Sequence, residues 1–225
     1  GTARQQPPHS ICDSTYSVCV DESLKDTLLT NPFVVTGTGI AVENTISWSL
    51  LDGNGVVLEK GSVTSSYSDL DHTEDFTIRT FLLNVPKTPT GTLVITGKNA
   101  GGNPFIGEPI LTVKIPVRLP QQTMTVKYFA RPADGSASGE PINVECSDVV
   151  ALEAIVPRSS LPVETALRYL LEGKLWKGMA ASSAIPKDTR LESVKVSGGT
   201  ATVVFSPELQ NYGGGSCNVQ AIRAQ

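Results

Sequence analysis

The chain has few of the residues on which catalysis and metal binding usually depend. Its 225 residues include two histidines, two tryptophans and four cysteines. No two cysteines form a Cys-x-x-Cys pair, and His9 and His72 complete no zinc-ligand spacing. No Gly-x-Ser-x-Gly sequence marks a nucleophilic serine. We therefore expect a protein that is not an enzyme and that holds no cofactor and no metal.

Two further absences limit the partners. The net charge is −4 and no block of lysines and arginines stands out, whereas nucleic-acid binders carry a basic face. No apolar run approaches the roughly 20 residues that span a bilayer, and the chain opens on polar GTARQQPPHS instead of a signal peptide. We expect no nucleic-acid partner, and a membrane contact only through an anchor or lipid attachment outside this sequence.

The four cysteines indicate an oxidising compartment. An even number of cysteines without metal-ligand spacing is typical of disulfides in exported proteins. Three pairings are possible, and Cys12–Cys19 with Cys146–Cys217 fits best because each pair stays inside one predicted domain. Closing a loop of about 70 residues would contribute roughly 4 kcal/mol. The alternative is a cytosolic protein with four buried thiols.

Residues 31–119 have the pattern of a β-sandwich, and a different segment precedes them. Residues 1–30 are interpreted as an N-terminal tail and a Cys-bounded loop. Over residues 31–119, segments rich in Val, Ile and Thr predict about six or seven short strands without a convincing helix. The clearest hairpin is TISWSLLDGNGVVLEKGSVTS, where Ile46, Trp48 and Leu50 alternate with polar residues. We predict an all-β, immunoglobulin-like sandwich.

Residues 122–225 follow a predicted linker at residues 119–122 and mix strands with helices. TMTVKYFAR and VVALEAIVPR have the composition of strands, and a hairpin over residues 191–205 turns at two glycines. VETALRYLLEG predicts a helix whose apolar face holds Val163, Ala166, Leu167, Leu170 and Leu171. We predict an α+β fold in which helices cover one face of a small sheet.

Each of these two regions resembles a known protein family. Residues 122–225 resemble the GerMN domain of sporulation and germination proteins in TALRYLLEG, SSAIPKDTRLESVKV, and ATVVFSPEL followed by GGGSCNVQAIRAQ. Residues 31–119 resemble Gmad2, an immunoglobulin-like domain, in NPFVVTGTG, LLDGNGVVLEKG and VKIPVRL. GerMN domains continue with a further helix segment and strand, so the resemblance implies a truncated end after Gln225.

The resemblance implies a structural or protein-interaction role in a bacterial cell envelope. Sporulation or germination is the implied context, and envelope proteins or further copies of the chain are the implied partners. The resemblance also implies an exported location, with a membrane anchor or a lipid attachment. The alternative function is a module that binds peptidoglycan or another glycan, for which Trp176, Tyr212 and Tyr67 are candidate ligand contacts. A hydrolase would need converging carboxylates or a Ser/His pair, which the sequence does not single out.

Two local features have both a ligand-binding and a structural interpretation. Residues 213–216, Gly-Gly-Gly-Ser before a helix, could offer backbone N–H groups to an anion, but they lack the lysine of a phosphate-binding loop. A turn with Ser216 as N-cap is favoured. The acidic run at residues 69–75 could gather calcium, but it lacks the glycine and the terminal glutamate of an EF-hand. A solvated loop is favoured there.

Reduction is expected to lower the melting temperature, because cleaving the predicted disulfides returns conformational entropy to the unfolded chain. Calorimetry with and without a reductant, together with thiol titration of the native protein, measures this. An unchanged melting curve with four titratable thiols would contradict the assignment to an oxidising compartment.

Overall fold

The computed structural model describes residues 6–14, 16–39, 45–64, 74–97, 111–132, 145–172, 181–213 and 215–225. The chain divides into two compact units. The first unit comprises Gly1–Met124 with Val156–Ser160, and the second comprises Thr125–Ile155 with Leu161–Gln225. The described residues are mostly β, with two α-helices.

The first unit holds two antiparallel sheets, each of four described strands. The first sheet has the order β1-β2-β3-β6 and the second has the order β5-β4-β7-β8. The strands are β1 (Ser10–Cys12), β2 (Val18–Asp21), β3 (Phe33–Gly39), β4 (Thr45–Asp52), β5 (Val57–Thr64), β6 (Glu74–Thr80), β7 (Thr90–Gly97) and β8 (Leu111–Arg118).

One hydrophobic cluster joins the two sheets. Ile46, Trp48 and Leu50 of β4 are buried, which confirms the alternation predicted for this hairpin. The ring of Phe33 meets Trp48 edge-on, with 6.1 Å between the ring centroids, a favoured geometry for aromatic pairs. The predicted immunoglobulin-like sandwich is therefore the fold of the first unit.

The N-terminal segment is part of this sandwich, which corrects the interpretation of residues 1–30 as a tail and a loop. Its strands β1 and β2 form a hairpin, and β2 pairs with β3. Val18 and Val20 are fully buried. Because successive side chains of a strand point to opposite faces, these two valines project into the core while Cys19 between them faces Cys12 of β1.

A buried asparagine joins distant segments of the first unit. The side-chain amide of Asn31 donates to the carbonyl oxygens of Leu82 (2.9 Å) and Pro157 (3.0 Å), and its oxygen accepts from the Leu82 N–H (3.0 Å). The Asn31 carbonyl accepts from the backbone N–H of Ser160 (3.0 Å) and the hydroxyl of Ser159 (3.1 Å). These bonds hold residues 156–160 in the first unit, although most of their sequence neighbours belong to the second.

The second unit contains a three-stranded sheet, a hairpin and two helices among its described residues. The sheet has the order β10-β9-β11, and the hairpin joins β12 to β13. The elements are β9 (Thr123–Pro132), β10 (Val150–Pro157), α1 (Pro162–Glu172), β11 (Ala181–Ser182), β12 (Leu191–Ser197), β13 (Thr200–Phe205) and α2 (Gly215–Ala224).

Helix α1 contacts β9 through aromatic rings. Tyr169 lies 5.7 Å from Tyr128 between ring centroids. Leu170 is buried as predicted, but the buried face differs at the start of the helix, where Val163 is 38% exposed and Thr165 is fully buried. The Thr165 hydroxyl donates to the Leu161 carbonyl oxygen at 2.9 Å, which satisfies a polar group that would otherwise be costly to bury. No helix in the described ranges is long and apolar enough to cross a membrane.

Replacing Asn31 with alanine is expected to lower the free energy of unfolding of the first unit by about 2–3 kcal/mol, because it leaves buried backbone groups of Leu82 without partners. Chemical denaturation followed by Trp48 fluorescence measures the loss, with Trp176→Phe present in every variant so that Trp48 is the sole tryptophan. The matched control is Asn54→Ala at an exposed turn, for which we expect a change within about 0.5 kcal/mol. Equal stability of the two variants would contradict the anchoring role of Asn31.

Candidate functional site

The four cysteines form both predicted disulfides, Cys12–Cys19 and Cys146–Cys217. The first joins β1 to β2 at directly opposed positions. The second links the turn before β10 to the first turn of α2. Because disulfides persist in oxidising compartments, the pairing fits an extracytoplasmic protein.

Of the three aromatic residues predicted as ligand contacts, the structure describes one. Tyr212 lies between the 3-10 turn Pro207–Gln210 and α2, and it is 39% exposed. Trp176 and Tyr67 lie outside the described residues.

The glycine run before α2 has a conformational explanation. Helix α2 begins at Gly215, one residue before the predicted N-cap Ser216. The φ angle of Gly215 is 70°, in the left-handed region that residues with a side chain rarely adopt. Glycine at this position therefore allows the chain to enter the helix that carries Cys217.

The acidic run has a structured end. Residues 69–73 lie outside the described residues, whereas Glu74 and Asp75 begin strand β6 and pair with β3. The expectation of a solvated loop is thus wrong for these two residues. Within the described ranges, no group of three His, Cys, Asp or Glu side chains is placed to hold a metal ion.

A groove lies on the first sheet of the first unit. It has a volume of about 430 Å³ and is lined by Pro7–Ser10, Cys19–Asp21, Thr36–Thr38 and Asp75–Thr77. A side chain at Gly37 would collide with the carbonyl oxygen of Cys19 and the ring of Phe76. Glycine therefore permits the close approach of backbone and ring at the floor of the groove.

A hydrogen-bonded turn forms one wall of the groove. The Ser10 hydroxyl donates to the Pro7 carbonyl oxygen at 2.5 Å, and the Glu22 N–H donates to the His9 carbonyl oxygen at 2.9 Å. The Gln6 side-chain amide also donates to the Ser10 carbonyl oxygen. These bonds fix the wall against β2 without the help of a ligand.

The groove has an acidic character. Its lining includes the carboxylates of Asp21 and Asp75 and no lysine or arginine among the described residues. The Ser23 N–H donates to Asp21 Oδ1 at 2.8 Å. This bond, then the Ser23 hydroxyl, and to a smaller extent the charge of His9, hold the pKa of Asp21 below its ordinary value of 3.8. The groove therefore favours cationic or hydrogen-bond-donating groups.

Four strands stand at the edges of the two sheets, and three of them are protected. Strand β1 is three residues long. Strand β5 carries Lys60 and Gly61 and pairs with β4 across a register shift. Strand β8 contains Pro116, and its edge bonds to residues 26–29 through the Leu29 N–H and the Arg118 carbonyl at 2.9 Å. Short length, lysine, proline, bulges and covering segments are the usual means of blocking strand addition.

Among the described residues, strand β6 has no proline, lysine, bulge or covering segment at its outer edge, and its protection consists of charged side chains. Its sequence EDFTIRT contains no proline, glycine or lysine, and its register with β3 is continuous over seven residues. No described strand pairs with its outer edge. The sequence alone shows that this segment lacks proline, glycine and lysine. It does not predict that β6 lies at an edge, because that depends on the order of strands in the sheet.

Comparison with protein families accounts for most of the chain. Residues 17–103 match the family model Gmad2, described as an immunoglobulin-like domain of bacterial spore germination. Residues 126–225 match the family model Germane, described as sporulation and spore germination. The Gmad2 match therefore precedes the Germane match along the chain. A search of curated proteins found no match.

The Gmad2 match confirms the resemblance of the first region, whereas the second region matches Germane, and its assignment to the GerMN type stays a prediction. The Gmad2 match begins at Ser17 and so includes β2, in agreement with the placement of that strand in the first sheet. Both matched models describe spore germination, which places the chain in a germination-type context. Strand β6 lies within the residues that match Gmad2, whereas the groove lies only partly within them, because Pro7–Ser10 precede the match.

Replacing Ser23 with alanine is expected to raise the pKa of Asp21 toward its ordinary value, because one of two hydrogen-bond donors is lost while the backbone N–H remains. Replacing His9 with glutamine is expected to raise the pKa of Asp21 by a smaller amount than replacing Ser23 does, because the charge of His9 is the weaker cause. Carboxyl NMR titration measures both shifts, and Ser62→Ala on β5 is the control. The stability that this bond contributes is present above the unfolded-state pKa and is lost as pH falls through the lower folded-state pKa. A larger shift from His9→Gln than from Ser23→Ala would contradict this ranking.

Proposed function

We propose that the chain is a non-enzymatic cell-envelope protein that acts outside the cytoplasm as a structural and protein-interaction module during sporulation or germination. The observation that carries the proposal is the succession of a Gmad2 and a Germane domain, both matched to germination families, in a chain whose cysteines are all paired. We further assign the second domain to the GerMN type, with an α+β fold, and infer attachment to a membrane through an anchor or a lipid.

The exposed surfaces of both domains support an interaction role. In the Gmad2 domain, β6 offers an unprotected strand edge beside the acidic groove. In the Germane domain, Phe129 of β9 is 43% exposed and Ile155 of β10 is 66% exposed. Neighbouring Lys127 and Glu153 form an ion pair of 3.1 Å on the same strands. Exposed apolar side chains with polar neighbours are a common property of protein-interaction surfaces.

Peptidoglycan or glycan binding is the competing function. It requires aromatic rings that can stack on sugars, together with polar groups that fix their orientation. Of the three candidate aromatics, Tyr212 is the one that the structure describes. The proposal of an interaction module therefore has the broader support from the described surfaces.

Two binding experiments distinguish the functions. The full chain, with its disulfides intact, is immobilised and exposed to solubilised envelope extract from sporulating cells, and it is separately sedimented with purified peptidoglycan. We expect specific recovery of envelope proteins above a resin that carries an unrelated β-sandwich protein of similar charge, and no sedimentation above that control. Sedimentation with the cell wall, without any recovered protein, would overturn the proposal in favour of glycan binding.

A further inference from the structure

The sequence of the free edge strand is complementary to itself. Strand β6 reads Glu74, Asp75, Phe76, Thr77, Ile78, Arg79 and Thr80. We propose that β6 pairs antiparallel with β6 of a second copy of the chain, about a two-fold axis at Thr77. This inference rests on the proposed function, since it names one partner of an interaction module and the surface that the partner meets.

The pairing follows from the geometry of antiparallel strands. If Thr77 faces Thr77 of the second copy, Asp75 faces Arg79 of that copy, and Arg79 faces its Asp75. Directly opposed residues in such a pair have Cβ atoms about 4.5–5.5 Å apart, close enough for an ion pair between longer side chains. A two-fold axis normal to the sheet repeats each contact, so the interface would contain two such ion pairs.

Both faces of β6 suit this register. Asp75, Thr77 and Arg79 are exposed on the outer face, whereas Phe76 is 5% exposed and Ile78 is 1% exposed. The axis at Thr77 places Phe76 opposite Ile78 of the second copy, so apolar residues meet on the core side and polar residues meet on the solvent side. The alternation of β6 therefore continues across the two copies.

Other registers are less favourable. An axis at Asp75 would place two carboxylates opposite each other, and an axis at Arg79 would do the same with two guanidinium groups. With the axis at Phe76, Asp75 faces Thr77 of the second copy, and with the axis at Ile78, Arg79 faces Thr77. Neither register therefore pairs Asp75 with Arg79. The register centred on Thr77 is the one that pairs all seven residues of β6, and like charges directly opposite each other are destabilising.

The acidic groove adds a second reason for this partner. Asp75 lines the groove, which contains no lysine or arginine among its described lining residues. In the proposed pair, Arg79 of the second copy lies beside Asp75 and brings a positive charge to the groove rim. Arg79 also has a contact within its own copy, 5.4 Å from the centroid of the Phe81 ring, which holds the guanidinium on the outer side of the strand end.

The association is expected to be weak and concentration-dependent. Phe76 and Ile78 are already buried in the single copy, so pairing gains main-chain hydrogen bonds and ion pairs more than apolar burial. Strand addition of this kind takes its affinity from the main chain and its specificity from alternate side chains. Its strength is therefore expected to depend on the charges of Asp75 and Arg79.

A charge exchange tests the proposal. Sedimentation equilibrium is measured for the wild-type chain, for Asp75→Arg and for Arg79→Asp, each checked for folding by its melting curve. We expect each variant alone to associate about tenfold more weakly, because like charges then face each other twice. An equimolar mixture of the two variants is expected to recover the association, because opposite charges then face each other at both positions.

Lys60→Asp on β5 is the matched control for the charge change, and it is expected to leave the association unchanged. A wild-type chain that stays monomeric at millimolar concentration would overturn the proposal. Variants that associate as the wild type does, or a mixture that stays monomeric, would overturn it as well.

Crosslinking provides an independent measurement. Thr77→Cys is expected to form a disulfide-linked dimer, since its two copies lie on the symmetry axis. Thr36→Cys, opposite Thr77 on the inner strand β3, is expected to remain uncrosslinked, because three strand spacings of about 4.8 Å separate its copies. Equal crosslinking of both variants, identified by peptide mapping, would contradict the register.

The failures of the two proposals are distinguishable. Loss of self-association with continued recovery of envelope proteins would reject the β6 pairing alone. Self-association without any recovered envelope protein, together with sedimentation on peptidoglycan, would reject the interaction module and retain the dimer.

Discussion

The buried amide of Asn31 is the contact on which the arrangement of the first unit most depends. It stands two residues before β3, bonds to both backbone groups of Leu82, and holds the carbonyl of Pro157 from a segment 126 residues away. Strand β3 pairs with β2 on one side and with β6 on the other. The floor of the groove and the position of the free edge therefore both depend on where Asn31 places the start of β3.

In the first sheet, alternate side chains differ in polarity, so one face is apolar and the other is polar. Val35, Phe76 and Ile78 are buried on the core side, whereas Thr36, Thr77 and Asp75 face outward. Small hydroxyl-bearing side chains leave the outer face shallow, and Gly37 lets the strands lie close beneath the groove. The same alternation that builds the core thus places Asp75 on the outer surface, beside an edge of β6 with which no described strand pairs.

Local sequence patterns predicted the elements that depend on neighbouring residues. The alternation around Trp48 predicted its hairpin, and the confinement of each cysteine pair to one domain predicted both disulfides. Contacts between distant residues were not predictable in this way. Residues 156–160 return to the first unit through bonds to Asn31, and Thr165 replaces Val163 on the buried side of α1 because its hydroxyl is satisfied within the helix. The groove and the β6 edge were missed for the same reason, since strand order creates both.

Edge protection in the first unit is selective. Strands β1, β5 and β8 each carry a different obstacle to strand addition, so an arbitrary extended segment meets a blocked edge at three of four positions. Strand β6 instead carries charged side chains, with the carboxylates of Glu74 and Asp75 at one end and the guanidinium of Arg79 near the other. A uniformly acidic strand would place like charges opposite Asp75, whereas a reversed copy of the same seven residues places Arg79 there. Charge repulsion weakens the binding of wrong strands, and ion pairs strengthen the binding of the complementary one. In the proposed pairing, the edge of β6 therefore selects its partner strand by charge.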